Sequence, residues 1–445
     1  MDTPEKKTSF KDSAGLSLTR FLRFISSEYR IIFTLVFTLN LVGVILFLWL
    51  WFINGHPNPS TCGLGTAINL AVSIVIREEH VVNGLYYVFT AFPKTSPLWL
   101  RSRAGKIYHL GGLHSGCGVA ATFWFIMMSI EKTSFFSNTK ERDAAMWVHI
   151  IIIYLLDLLL VSMLVMAYPK VRQKIHDTFE IVHRFAGWTS LALLWCLTVL
   201  DACINTKAGH SQAAAVFSSA PVWLVFISTC CVISTWLNCR KVQVVSERLS
   251  SHATRIYFDY TNPQPGTTIR LSTRPLLEWH AFATVNNPKE NGFSVVISNA
   301  GDWTKKMVND PPRDVYIRRT PTCGVLRIAP MFNSIVLVAT GSGIAPCLPV
   351  ILAAQTRITL FWSTRDPLET YGPNVASIVL GMGENAHIHN TTTMGRPNTL
   401  PTVLNLYKQT ESEAVVVISN PKLTIDLVLD LQALGVPAFG PIWDS

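Results

Sequence analysis

The segment with the clearest chemical use runs Ile335-Val336-Leu337-Val338-Ala339-Thr340-Gly341-Ser342-Gly343-Ile344-Ala345-Pro346. It reads as a buried strand entering a glycine turn, followed by an apolar helix. Gly341 and Gly343 let backbone approach a pyrophosphate, and the helix N-terminus behind them favours its charge. Pro346 suits a first helical turn, where a missing N–H costs nothing. The three-glycine dinucleotide fingerprint is absent, and an ordinary strand-to-helix turn can carry the same residues. The next strand ends Phe361-Trp362-Ser363-Thr364-Arg365. The Ser363 hydroxyl and Arg365 guanidinium stand where a 2′-phosphate would lie, which points to NADPH rather than NADH. Taken alone, Arg365 reads as a solvated loop charge. A later strand ends in the polar turn Ser419-Asn420-Pro421 on the same edge, and Phe439-Gly440-Pro441-Ile442-Trp443 follows near the C-terminus. One use for those aromatics, Phe439 or Trp443, is to cover a flavin ring and move aside for a nicotinamide.

The elements that must position these residues divide at Arg240-Lys241. Hydrophobic residues make up 49% of the chain and charged residues 15%, against about 25% charged in an average soluble protein. Long apolar runs recur before the divide: Ile31 to Ile53, Leu64 to Phe92, Ile107 to Ile130, Ala144 to Ala167, Ile181 to Cys203 and Ala213 to Leu237. Most approach the ~20 residues needed to cross a bilayer. Arg77-Glu78-Glu79-His80 interrupts the second, so those charges need an interior, a cavity or an interface. Lys and Arg cluster in the N-terminal tail, in the loops at 94–106 and 170–174, and at 240–241. Alternate loops are therefore basic, which predicts six crossings with both termini cytosolic. The net charge of +9 forms no basic stripe with interleaved aromatics, so no nucleic-acid partner is expected. Nine scattered cysteines contain no C-x-x-C pair, and the polar, basic N-terminus lacks a cleavable signal pattern. Beyond residue 241 short β-branched runs dominate, and from Ser334 strands alternate with helical stretches, as in a parallel sheet.

Two further segments, Trp279-His280-Ala281-Phe282-Ala283-Thr284 and Asn299-Ala300-Gly301-Asp302-Trp303-Thr304, resemble the flavin domain of the ferric reductase and NADPH oxidase superfamily. That family carries His-Pro-Phe-Thr/Ser and then a Gly-Asp-Trp-Thr-like segment. The Thr-Gly-Ser-Gly-Ile-Ala-Pro turn and the closing Phe-Gly-Pro-Ile-Trp look like the fungal TmpA-type membrane oxidoreductases within it. The resemblance implies a six-helix transmembrane bundle followed by a ferredoxin-reductase-like module. Its parts would be a cytosolic tail (1–30), the membrane domain (31–240), an antiparallel β-barrel FAD domain (241–332) and an α/β NADP domain (333–445). It implies that His280, Phe282 and Thr284 hold the flavin, with Gly301, Asp302, Trp303 and Thr304 at its phosphates. Here Ala281 replaces the family proline and Ala283 the family hydroxyl, so one flavin hydrogen bond is either lost or supplied by Thr284.

The same family passes electrons through two haems held by paired histidines on the third and fifth helices. His114 and His183 match the inner pair, and each has a glycine four residues on, Gly118 and Gly187. A missing side chain one turn above an axial imidazole leaves room for a flat macrocycle. Two histidines on separate helices could also hydrogen-bond to each other, to Asp157 or to Glu180. His109 competes with His114, and His149 is a further outer candidate. The outer positions are Met127 and Cys196, so one haem b and not two is expected. Without an outer haem, electrons would have to bridge most of the ~30 Å hydrocarbon core. The expected acceptor is therefore a small molecule in the membrane or at its cytosolic face, such as a quinone. Export of electrons to ferric chelates or oxygen is the enzymatic alternative. A regulatory or scaffold membrane protein with reduced turnover is the non-enzymatic one.

Overall fold

The computed structural model describes residues 10–55, 59–204, 206, 211–286 and 291–442. Its first half is helical: α1 (Phe10–Ile25), α2 (Glu28–Asn54), α3 (Pro59–Val75), α4 (Glu79–Phe89), α5 (Leu98–Ala104), α6 (Gly111–Asn138), α7 (Ala144–Ala167), α8 (Pro169–Lys174), α9 (His176–Ile204), α10 (Gln212–Ser218) and α11 (Ala220–Leu237). Among the described residues, five stretches are long and apolar enough to cross a bilayer: α2, Leu98–Asn138, α7, α9 and α11. Phe47, Trp124, Phe125, Ile153, Leu156 and Leu194 form the core between these helices. A polar pin crosses that core, because Trp124 Nε1 and Asn69 Nδ2 both donate to Asn40 Oδ1, at 2.9 and 2.8 Å.

The apolar run from Leu64 to Phe92 is two helices rather than one. α3 stops at Val75, and Glu78 restarts the chain by accepting from the His80 and Val81 amides through Oε2. A carboxylate at an N-cap satisfies amides that have no intrahelical partner and faces the positive end of the helix. α4 then packs away from the bundle, with Tyr86 in one core with Ile335 and Leu337 of the second half. The stretch at 1–30, expected as a polar tail, instead forms α1 and the first residues of α2 within its described part.

The second half has two units. In the first, β1 (Cys239–Gln243), β2 (Val245–Arg248), β3 (Ala253–Phe258), β4 (Thr267–Ser272), β5 (His280–Ala283), β6 (Phe293–Ser298) and β7 (Asp314–Cys323) form antiparallel sheets in the orders β1-β7-β4-β5 and β2-β3-β6. They enclose Ile256, Ile269, Leu271, Val295, Ile297 and Ile317, all nearly inaccessible to water. α12 (Asp302–Asn309) lies between β6 and β7. In the second unit, β8 (Ser334–Thr340), β9 (Arg357–Thr364), β10 (Ala386–Asn390), β11 (Ala414–Ile418) and β12 (Ala438–Phe439) make one parallel sheet in the order β10-β9-β8-β11-β12. The connections carry α13 (Ile344–Ala353), α14 (Pro367–Leu380), α15 (Thr391–Met394), α16 (Thr399–Gln409) and α17 (Pro421–Ala433). Continuous apolar runs suit strands covered by helices on both faces, and Ile335 to Ala339 are fully buried.

The halves interlock through the 79–110 segment. Asn83 Nδ2 donates to the Pro321 carbonyl, and its Oδ1 accepts from the Cys323 amide, both at 2.9 Å. Glu79 sits between Arg270 (2.8 Å) and Arg318 (3.6 Å) of the barrel unit. Of the charges at 77–80, Glu79 is thus placed at this interface, whereas Glu78 caps α4 and Arg77 lines a cavity among the helices.

Candidate functional site

The order of the parallel sheet reverses between β8 and β11, and a crevice opens at the carboxyl ends of strands at such a point. Gly341, Ser342 and Gly343 lie there, opposite Ser419 and Asn420. Gly341 has φ +49°, a conformation glycine adopts without strain. Gly343 is small for another reason: a Cβ on it would lie 2.1 Å from the Ile418 carbonyl oxygen. The two strand ends are joined by Thr340 Oγ1 and Ser419 Oγ at 2.5 Å, and Trp362 Nε1 donates to the Gly341 carbonyl at 3.0 Å. Ile344 and Ala345 are buried core residues, so their contribution to a ligand is confined to backbone. Pro346 falls in the first turn of α13. Ser363 ends buried on β9, whereas Arg365 is exposed just beyond it. Asn420 caps α17 by accepting from the Leu423 amide (3.0 Å), with Pro421 at the first helical position.

The barrel unit presents a second cluster. His280 and Phe282 point from the same side of β5 and both stack on Trp303 of α12, at ring-centre distances of 4.1 and 5.8 Å. The His280 Nε2 finds no hydrogen-bond partner, since Glu278 Oε2 lies 3.8 Å off. Burial lowers the His280 pKa, while Glu278 and Glu180 of α9 oppose that shift. Gly301, Asp302 and Thr304 open α12, where Thr304 Oγ1 accepts from the Ala300 and Gly301 amides at 2.9 Å. Thr284 does not share this open face. It is fully buried and exchanges a 2.8 Å hydrogen bond with Thr267 inside the barrel. Phe439 is also placed elsewhere: its side chain is fully buried on β12, against Phe332 and beside Gly105. Uncovering a ring from that position would require β12 to leave β11. Trp443 lies outside the described residues.

The third feature is a cavity of about 970 Å³ among the helices, lined by residues of α2, α3, α6, α7, α8, α9 and α11. His114 and His183 both line it, with ring centres 6.3 Å apart and planes at 68°. Two nitrogens each about 2.0–2.1 Å from one metal ion would set imidazole centres roughly 6 Å apart. The His114 Nδ1–H donates to the Ser73 carbonyl at 2.8 Å, which leaves Nε2 as the lone-pair nitrogen a metal needs. The His183 Nδ1 is buried without a partner. Of the other partners open in the sequence, Glu180 is held by Arg184 at 3.3 Å, and the His109 Nδ1 accepts from the Tyr29 amide. His149 sits 3.3 Å from Asp201. A Cβ on Gly118 would meet only Ser73 Oγ at 3.7 Å, and one on Gly187 only Met163 Sδ at 3.9 Å, so both glycines leave open volume. Arg30, Arg77 and Arg172 also line the cavity. The arrangement fits a flat, bis-imidazole-ligated macrocycle with acidic substituents.

The cavity and the barrel cluster are neighbours. Arg184, adjacent to His183, donates to the Leu276 carbonyl at 2.7 Å, close to His280 in the chain. The aromatic series Trp188, Trp236, Trp279 runs from α9 through α11 to the residue before His280, with ring centres 5.3 and 6.3 Å apart. Arg318 lies over both Trp236 and Trp279. No local sequence motif announces this series, since its three rings come from separate elements.

Residues 325–445 match the family model described as the C-terminal domain of adenylate-forming reductase 03009. The chain is 40% identical over 95% of its length to adenylate-forming reductase 06235 of Coprinopsis cinerea. It is 38% identical over 96% of its length to adenylate-forming reductase 03009 of the same fungus. It spans 40% and 41% of the length of those relatives. These names differ from the ferric reductase name that the sequence resemblance suggested. Among solved structures, a ferredoxin NADP+ reductase from Neisseria gonorrhoeae with bound FAD and NADP is similar at 16% identity and a TM-score of 0.38. That likeness covers 46% of this chain and 98% of that one.

Proposed function

We propose that the chain is an integral-membrane, NADPH-dependent flavoprotein oxidoreductase that delivers electrons to a membrane or cytosolic-face acceptor. The observation that carries the reading is the His114–His183 pair in a cavity whose α9 wall docks on the flavin-type cluster at His280. Five long apolar helices and the shorter α3 would supply six crossings, with both termini cytosolic. When bound, FAD would take a hydride from NADPH and pass on single electrons, which one haem b would relay. The chain's own residues set the geometry. The Gly341–Gly343 backbone and the amides opening α13 would cradle the NADPH pyrophosphate, and Arg365 would pair with its 2′-phosphate. His280, Phe282 and Trp303 would position the flavin, with the α12 N-terminus at Gly301 near its phosphates. His114 and His183 would hold the haem, and Arg30 and Arg77 would face its carboxylates. With Met127 and Cys196 at the outer positions, a lipophilic acceptor such as a quinone suits the bundle better than an external ferric ion.

The relatives' name favours a second reading, in which the acceptor is an acid activated as its adenylate. NADPH oxidation stimulated by an acyl-adenylate but not by a short-chain quinone would select it.

The test is an absorption spectrum of the detergent-purified protein before and after anaerobic NADPH. The expected result is a bleached flavin band and a sharpened haem band that is missing from His114→Ala and His183→Ala. Flavin without haem would leave a direct flavin reductase. Neither chromophore, after cofactor supply during expression, would overturn the redox reading and favour a scaffold protein. A separate prediction concerns cofactor choice. Arg365→Ala should raise the KM for NADPH roughly 10- to 100-fold and leave NADH unchanged, since a charge-assisted hydrogen bond is worth about 1.5–3 kcal/mol. Equal effects on the two cofactors would refute the assignment.

A further inference from the structure

α1 has two chemically distinct faces. Leu18, Phe21, Leu22 and Ile25 follow the i, i+3, i+4, i+7 spacing of one helical stripe, and they are 60%, 56%, 55% and 48% exposed. Arg20 projects from the opposite side and pairs with Asp426 and, at 3.3 Å, with Asp430 on α17. One face is therefore docked on the parallel-sheet unit, and the other is apolar and open.

Two observations say what covers the open face. Only Ser26 and Ser27 separate α1 from α2, whose exposed Leu35, Leu39, Ile45 and Leu46 belong to the apolar surface of the first long helix. The apolar stripe of α1 thus joins that surface at the point where the chain would enter a bilayer. The border is basic, with Arg23 exposed near the junction and Lys6 and Lys7 preceding the helix in the sequence. A helix with one apolar face and a cationic border fits the boundary between headgroups and acyl chains.

We propose that α1 lies in the cytosolic headgroup layer of an anionic bilayer and clamps the parallel-sheet unit against the membrane through Arg20. This rests on the reading of α2 as a membrane-spanning helix. α17 begins at Asn420 and Pro421, so the clamp fixes one lip of the crevice at a set height below the lipid. Anionic lipid would then stabilise the docked unit as well as hold the helix.

Photo-crosslinking in phosphatidylcholine–phosphatidylserine nanodiscs tests it on the full chain. Benzoylphenylalanine replaces Phe21 in one protein and Leu39, 63% exposed on α2, in another. Lipid adducts at both positions are expected, with Arg23→Glu lowering the phosphatidylserine share of the position-21 adducts about fivefold or more. Lipid adducts at 39, with none or only protein adducts at 21, would overturn the clamp and leave the spanning reading intact. No lipid adduct at either position would remove the spanning reading and the clamp with it.

Discussion

On the proposed function, Gly343→Ala should cost the protein at least tenfold in NADPH affinity without lowering its flavin content. The added methyl would stand 2.1 Å from the Ile418 carbonyl oxygen and 3.0 Å from its carbon. Both are main-chain atoms of β11, so no side-chain rotation relieves the clash. Either α13 or the end of β11 must shift, and the 2.5 Å link between Thr340 and Ser419 spans that gap. Overpacking of this kind costs about 1–3 kcal/mol even where the backbone yields. A displacement of the crevice's two lips is felt first by whatever binds between them. Gly341→Ala is the informative control. Its methyl would meet only the Tyr371 hydroxyl at 3.6 Å, but the residue would sit at φ +49°, a penalty of about 1–2 kcal/mol. The expected ranking by isothermal titration is parent, then Gly341→Ala, then Gly343→Ala. A Gly343→Ala protein that binds NADPH within twofold of the parent would show that the cleft lies elsewhere.

The glycine turn illustrates what was readable from sequence. A strand, G-x-G and an apolar helix have local signals, and β8, the turn and α13 occur as read. The reason for Gly343 was not readable, because the atom that excludes a Cβ belongs to Ile418, on a strand that pairs with β8 across the sheet. The same distinction applies to 77–80. Their charges signalled a break in the apolar run, but their partners Arg270, Arg318 and Ser234 are remote in the chain. Residues 18–25 carried a legible signal that charge counting hid: an i, i+3, i+4, i+7 apolar stripe among Arg20 and Arg23. Phe439 shows the opposite failure. A terminal aromatic invites the idea of a movable cover, yet pairing of Val416 with Phe439 makes it the last strand of a sheet and buries the ring. Thr284 carries the hydroxyl that the resemblance calls for, but that hydroxyl is committed to Thr267. It lies just past the end of β5, so the alternation that puts His280 and Phe282 on one face no longer fixes its side.

Arg101→Met should loosen the parallel-sheet unit from the helical half by about 3–5 kcal/mol, the range for breaking one side of a buried ion pair. The Arg101 side chain is 4% exposed and meets Glu413 in a two-pronged contact, at 2.8 Å through Nη1 and 3.0 Å through Nη2. Its remaining donors reach the Ser96 and Met331 carbonyls, both at 2.8 Å. Glu413 also accepts from the Asn333 amide and side chain at 2.7 and 2.9 Å. Removing the guanidinium strands a carboxylate and two carbonyls together, and Arg101→Lys should recover little because an ammonium cannot reproduce the fork. Hydrogen exchange at 325–333 should accelerate a hundredfold or more in Arg101→Met. Exchange within tenfold of the parent would mean that apolar contacts alone hold the interface. The pair also predicts an acid response. Hydrogen bonds from Arg101 and Asn333 hold the Glu413 pKa at about 2, below its ordinary 4.5. A depressed carboxylate contributes stability that is fully present above about pH 4.5 and is lost as pH falls toward 2. The loss should be about 1–2 kcal/mol, since water reaches part of the carboxylate. In Arg101→Met that step in the acid limb should shrink to what Asn333 alone supplies, whereas a general acid effect would leave it unchanged.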